Sequence, residues 1–390
     1  MTTQETKVHS PSSVGALLPV LGRQYQDIGS IDLEFGGHID NVTVAYETFG
    51  TFTGDNAVLI EHALTGDAHV AGEAGPGQAT AGWWGDIVSP GGALDTDKWF
   101  VVCANVLGGC QGTTGPSSLH PDGNSWGSRW PRITVRDQVK VEIALADALG
   151  IKQWASVIGG SMGGMRALEW LLQAPARVRS ALLVATTGIT SADQIGTQTA
   201  QIAAITSDPA WNGGNYYNVG DGRGPVTGLS IARQIAHLTY RSEEELAQRF
   251  GQAHQVEEDA YSDEIVGRHD DAGRFAIQSY LHYHGEKLVQ RFDAGTYVSL
   301  TDAMNTHNIT RGRGPVAQVL RAVTVPTIVA GVTSDRLYPL YQQQQLADFI
   351  PSALPLVKID SLYGHDGFLI ETDVVGDLVR KTLELSKIPN

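Results

Sequence analysis

The run Val157-Ile158-Gly159-Gly160-Ser161-Met162-Gly163-Gly164-Met165 constrains the fold more than any other stretch, because a β-branched apolar segment ends abruptly in G-x-S-x-G. That pattern suits a nucleophile elbow, in which a strand turns sharply into a helix and leaves a serine exposed at the turn. Gly159 and Gly163 supply the backbone freedom the turn needs. With 45 glycines among 390 residues the pattern alone carries little weight, so its surroundings decide. Residues 155–158 read as a strand and 165–172 as a helix, the order an elbow demands. Ser161 is the candidate nucleophile.

Further strands are expected at 42–47, 56–60, 99–104, 181–185, 327–331 and 356–359, several of them near-continuous apolar runs suited to parallel strands covered on both faces. Helical stretches such as 139–149 and 343–350 fall between them. The alternation predicts an α/β fold with a doubly wound, mostly parallel sheet. Between residues 185 and 327 the rhythm stops and the chain becomes helix-like around a glycine-rich interruption at 212–224. An inserted helical cap is expected there, leaving near Thr187 and returning through Gly312-Arg313-Gly314-Pro315. The domains are accordingly 1–186 and 316–390 for the core and 187–315 for the cap.

A formal charge of −15 argues against a nucleic-acid or anionic membrane partner, both of which call for a basic footprint. No apolar run approaches the roughly 18 residues that span a bilayer. Residues 1–13 are polar rather than signal-like, which suggests a cytoplasmic enzyme. Only Cys103 and Cys110 are present, so neither a disulfide framework nor a cysteine-rich metal site is expected.

A serine hydroxyl becomes a useful nucleophile only when a base can take its proton, and on such a fold the partners follow as Asp or Glu, then His. Asp335 follows the strand 327–331, at the carboxyl edge of the sheet. His365 follows 356–359 in a glycine-flanked loop at the same edge. Asp360 competes with Asp335 but belongs to a strand end. Acyl transfer also needs two N–H groups aimed at the carbonyl oxygen. The amide of Met162, right after the nucleophile, is one. The loop Glu61-His62-Ala63-Leu64-Thr65-Gly66 nominates that of Leu64, with His62 read as structural.

Several strings are together specific: His62-Ala63-Leu64-Thr65-Gly66-Asp67-Ala68-His69-Val70-Ala71-Gly72, Gly82-Trp83-Trp84, Leu107-Gly108-Gly109-Cys110-Gln111-Gly112-Thr113-Thr114-Gly115-Pro116, Ile133-Thr134-Val135-Arg136-Asp137 and the elbow itself. In these the chain resembles the homoserine O-acetyltransferase family of α/β-hydrolase-fold enzymes. Two cap segments match as well, Gly228 through Tyr240 and Arg291-Phe292-Asp293-Ala294-Gly295-Thr296-Tyr297. Two departures stand out: Glu61 where the family usually has Cys, and Thr186-Thr187-Gly188-Ile189-Thr190. Both are expected to touch substrate detail more than the triad.

The resemblance implies transfer of an acetyl group from acetyl-CoA, a co-substrate, to the side-chain hydroxyl of L-homoserine, an early step of methionine biosynthesis. It implies a ping-pong cycle through acetyl-Ser161, with no bound cofactor and no metal, and a homodimer formed through the cap. It places the amino acid against Arg233, Tyr240 and Asp366. Arg233 can fork onto the α-carboxylate, and Asp366 can accept from the α-ammonium.

Five of the eight tryptophans fall between Trp83 and Trp130, where packing is the ordinary use of such side chains and a tunnel wall the alternative. Cys110 lacks a strand-turn-helix context for a nucleophile, and its loop lacks the Gly-Lys-Ser/Thr of a phosphate-binding loop. A succinyl donor, a serine acceptor, an esterase using water, and a non-catalytic binding module stay open at this level, since fold and triad do not fix the acceptor.

Overall fold

The computed structural model describes residues 22–78, 80–254 and 275–387; the polar start, residues 1–13, lies outside them. Eight strands form one sheet: β1 (Gln24–Asp27), β2 (Thr43–Phe49), β3 (Ala57–Glu61), β4 (Phe100–Ala104), β5 (Ser156–Gly160), β6 (Ala181–Val184), β7 (Thr327–Val332) and β8 (Val357–Ile359). Their order is β1-β2-β4-β3-β5-β6-β7-β8. β2 runs antiparallel to both neighbours and every other pair is parallel. In β3, β5, β6 and β7 every residue is buried, as expected of strands covered on both faces.

Each sequence-read strand is present with its ends moved by no more than two residues. β1 was not anticipated: it is a polar, mostly exposed edge strand without apolar alternation. The helix α1 (Val135–Ala148) starts earlier than its apolar periodicity, because Thr134 and Asp137 close a reciprocal capping box at its start. After the elbow comes α2 (Met162–Gln173).

Between β6 and β7 lie the cap helices α3 (Ala192–Thr206), α4 (Val226–Tyr240), α5 (Glu243–Phe250), α6 (Ala276–Val289) and α7 (Ala294–Asn305). The chain leaves and re-enters the core side by side: the Thr190 N–H donates to His307 O at 3.1 Å and that of Ile309 to Gly188 O at 3.0 Å. The core then resumes with α8 (Val316–Arg321), α9 (Leu340–Phe349), α10 (Gly367–Ile370) and α11 (Thr372–Leu385). The chain thus has an α/β-hydrolase fold carrying a helical cap. The loops after β3, β5, β7 and β8 meet at one sheet edge.

The clustered tryptophans pack. Trp84 and Trp126 are buried, Trp126 lies edge-on to Trp130, and the Trp130 indole donates to Ser299 of α7 at 3.0 Å.

Candidate active site

Ser161 sits between β5 and α2 at φ 58°, ψ −125°, a left-handed conformation that costs a non-glycine residue about 1–3 kcal/mol. The neighbouring backbone makes this turn possible. A Cβ on Gly159 would lie 2.2 Å from Gly163 O, and one on Gly163 would lie 2.0 Å from Glu61 O, so only glycine lets β5, α2 and β3 approach this closely. Hydrogen bonds then hold the strained residue. Its N–H donates to Val184 O at 3.0 Å, and its carbonyl accepts from the Thr186 hydroxyl at 2.8 Å.

The side chains named from sequence converge here. His365 Nε2 lies 2.8 Å from Ser161 Oγ, and His365 Nδ1 lies 2.7 Å from Asp335 Oδ2. An ionised carboxylate can only accept, so Nδ1 carries the proton and Nε2 is free to receive the serine's. All three residues are buried. Burial alone would lower the His365 pKa, but the charge and hydrogen bond of Asp335, with the nearby Asp366, outweigh it and move it upward. Asp335 is fixed in turn, since its Oδ1 accepts the N–H groups of Leu337 and Tyr338, each at 2.8 Å. Asp360 is exposed and takes the Thr333 hydroxyl at 3.1 Å, away from His365.

Met162 is the first residue of α2, where amide N–H groups have no partner within the helix. Leu64 occupies a tight turn closed by the Gly66 N–H on Ala63 O at 2.9 Å. His62 spends both ring nitrogens on backbone, Nδ1 on Ala63 O at 2.8 Å and Nε2 accepting from Val106 N at 3.1 Å. Burial, with Arg166 nearby, pushes its pKa down to about 3, so it stays neutral. Cys110 is a free thiol whose pKa burial raises to about 12, which removes it as a nucleophile.

Arg233, on α4, donates to the Thr65 hydroxyl at 3.3 Å and lies over the Tyr240 ring at 5.3 Å, while its Nε is buried without a partner. No carboxylate among the described residues pairs with it. Tyr240 ends α4, its ring 5.9 Å from that of His365. Asp366 adjoins His365 and meets Arg241 at 3.4 Å. Burial raises the Asp366 pKa against the opposing charges of His365, Arg233 and Arg241. Of the residues read as an acceptor clamp, Tyr240 and Asp366 flank His365 and Arg233 lies over Tyr240, with Arg241 as a neighbour sequence reasoning missed.

Tyr338 was missed too. Its N–H holds Asp335, its ring stacks on His365 at 5.0 Å and 27°, and its buried hydroxyl has no hydrogen-bond partner. Its position in a proline-flanked loop gave no periodic signal. Residues of both departures from the family pattern pack against the elbow. Glu61 is buried beneath the elbow, 2.7 Å from Arg166 of α2, and Thr186 braces the Ser161 carbonyl. Among the described residues no helix is long and apolar enough to cross a membrane, and no cluster of three or more His, Cys, Asp or Glu side chains could hold a metal ion.

The model of the alpha/beta hydrolase fold family matches residues 56–372. The chain is 54% identical over 381 residues to a homoserine O-acetyltransferase of Mycobacterium sp. strain KMS, covering 97% of this chain and 99% of that one. Among solved structures it is similar to esterase E22, with a TM-score of 0.82 at 25% identity, covering 93% of this chain and 99% of that one. It is also similar to a homoserine O-acetyltransferase from Bacillus anthracis, with a TM-score of 0.82 at 24% identity over 93% of this chain and 97% of that one. That last likeness speaks to the fold.

Proposed function

The chain belongs to the homoserine O-acetyltransferase family of α/β-hydrolase-fold enzymes, and from that premise we propose that it moves the acetyl group of acetyl-CoA to the side-chain hydroxyl of L-homoserine, for methionine biosynthesis. The observation that carries this reading is the line Asp335–His365–Ser161, flanked by Arg233, which has no carboxylate contact, and by Asp366.

In the first half-reaction Ser161 Oγ attacks the thioester carbonyl carbon while its proton passes to His365 Nε2. Asp335 holds the tautomer and stabilises the imidazolium. The Leu64 and Met162 N–H groups receive the negative oxygen. The C–S bond then breaks, the sulfur takes the proton from His365, and CoA leaves as its thiol. In the second, His365 takes the homoserine hydroxyl proton, that oxygen attacks acetyl-Ser161, and Ser161 departs with the proton returned from His365. Arg233 binds the α-carboxylate, Asp366 the α-ammonium, and Tyr240 lines the wall between them. No metal or bound cofactor enters these steps.

We place the enzyme in the cytoplasm as a homodimer through the cap. Exposed apolar side chains on α4 and α6, Ile231, Leu238 and Tyr283, support a cap contact. Incubation with acetyl-CoA, with and without homoserine, while following free thiol tests the reading. Sustained thiol release only with homoserine supports it. Sustained release without homoserine marks a hydrolase, as in the similar esterase, and faster turnover with succinyl-CoA or with serine overturns the donor or the acceptor.

A further inference from the structure

The turn bearing Leu64 is pinned residue by residue. The His62 carbonyl accepts from Arg166 of α2 at 2.5 Å, and the Ala63 carbonyl takes both the Gly66 N–H and His62 Nδ1. Thr65 is held from the cap alone, by two arginines of different elements. Arg233 of α4 reaches its hydroxyl at 3.3 Å, and Arg291, between α6 and α7, gives Nη1 to its carbonyl at 2.8 Å. The Arg291 carbonyl in turn accepts from Gln111 at 2.8 Å, which anchors it to the loop after β4.

Arg291 is mostly buried, and no carboxylate among the described residues contacts it. Asp67, Arg233 and the Cys110 thiol are the titratable groups around it. Its one strong contact is therefore the Thr65 peptide, a charge-assisted bond. That bond has a conformational consequence. Turn types differ by rotation at their two middle residues, here Leu64 and Thr65. The Thr65 carbonyl shares a planar peptide with the Gly66 N–H, that N–H holds the Ala63 carbonyl, and the Ala63 carbonyl shares a planar peptide with the Leu64 N–H, so Arg291 acts on the Leu64 N–H through two linked peptide planes.

We propose that Arg291 is a positioning residue for acyl transfer: through the Thr65 carbonyl it fixes the Leu64 N–H for the oxyanion, so the cap serves the first half-reaction as well as the second. This rests on the reading of Leu64 as an oxyanion donor, and it assigns the two arginines different work. Arg233 is exchanged between Thr65 and the acceptor carboxylate, whereas Arg291 stays on the turn.

The test is pre-steady-state acylation of Ser161 by p-nitrophenyl acetate without acceptor, a donor that does not depend on CoA recognition, with rates expressed per titrated active site. Arg291→Gln should acylate at least about tenfold more slowly, Arg291→Lys should fall between it and the wild type, and the homoserine KM in turnover should move less than about threefold. Arg233→Gln should show the reverse pattern. If Arg291→Gln acylates within about twofold of wild type while melting at a lower temperature, Arg291 only docks the cap and the proposal is overturned; a change confined to the homoserine KM overturns it as well. Where the Gln variant does not fold, Arg291→Lys decides, a loss of at least about threefold supporting the proposal and a wild-type rate ending it. Failure of acetyl-CoA to acylate a wild type that p-nitrophenyl acetate still acylates would remove the proposed donor and leave this comparison standing.

Discussion

Beneath the elbow, Arg166 lies between two carboxylates, Glu61 and Glu142, each 2.7 Å from its Nη1, with the Trp170 indole on Glu142 at 3.0 Å. Across the site, Arg233 and Arg291 have no carboxylate contact and lean on Thr65. The first guanidinium already holds both its carboxylates, and burial and the second carboxylate drive the Glu61 pKa well upward, while Glu61 Oε1 and Arg166 Nε stay buried without a partner. Arg233 has no direct carboxylate contact, and a half-buried cation in that state is suited to receive a charge, while Arg291 is committed to the Thr65 carbonyl. The floor of the site thus has its carboxylates in place in the free protein, whereas on the proposed reading the cap wall is completed by the acceptor. Changes in the floor should strike both half-reactions or the fold; changes at the acceptor end of the wall should spare acylation.

Ser161→Ala should have the largest effect, loss of turnover by about 10⁶-fold with the fold intact, since a small turn serine leaves no cavity. Peptide mass spectrometry after brief acetyl-CoA exposure should find the acetyl group on Ser161 in the wild type and nowhere in the variant; an adduct on Cys110 would break the assignment of the floor. Asp335→Asn should cost about 10⁴-fold in both half-reactions by removing the group that holds the reactive tautomer. A folded-state pKa raised by Asp335 keeps the proton on His365 to higher pH, so wild-type acylation falls as pH drops through a value higher than that of an unperturbed histidine. The residual acid limb of Asp335→Asn should lie at lower pH, and a limb that does not move would separate it from His365.

Arg166→Met should lower stability by about 3–5 kcal/mol, because two buried carboxylates lose their only cation. Arg233→Met, lacking such partners, should change stability by less than about 1 kcal/mol. Denaturant midpoints of the two variants test the contrast directly, and equal losses would abolish it. Asp366→Asn should slow the second half-reaction by about 2–5 kcal/mol and acylation less than about tenfold. Stopped-flow CoA release against steady-state turnover separates the two, and equal slowing would mean that Asp366 acts through His365. The smallest effect belongs to Cys110→Ser, whose acylation rate should stay within about twofold, as a thiol with its pKa near 12 has no part in the chemistry.

The sequence alone was enough to locate the strands of the parallel sheet, the elbow and the order Ser161, Asp335, His365. Apolar runs and glycine spacing are local properties, and the carboxyl ends of parallel strands share one edge, so residues placed just after such strands are brought together. Strand β1 escaped because a polar edge strand owes its conformation to pairing with β2 rather than to its own pattern. Only the tertiary structure could place Tyr338 against His365, put Glu61 beneath the elbow rather than in the pocket, and show which arginines are paired. Whether a buried guanidinium meets a carboxylate is decided by contacts such as Arg166 with Glu61 and Glu142, or Arg291 with Thr65, between residues far apart in the chain. No local periodicity encodes such contacts, because they arise only when β3, α1 and α2 pack together or when the cap closes on the sheet.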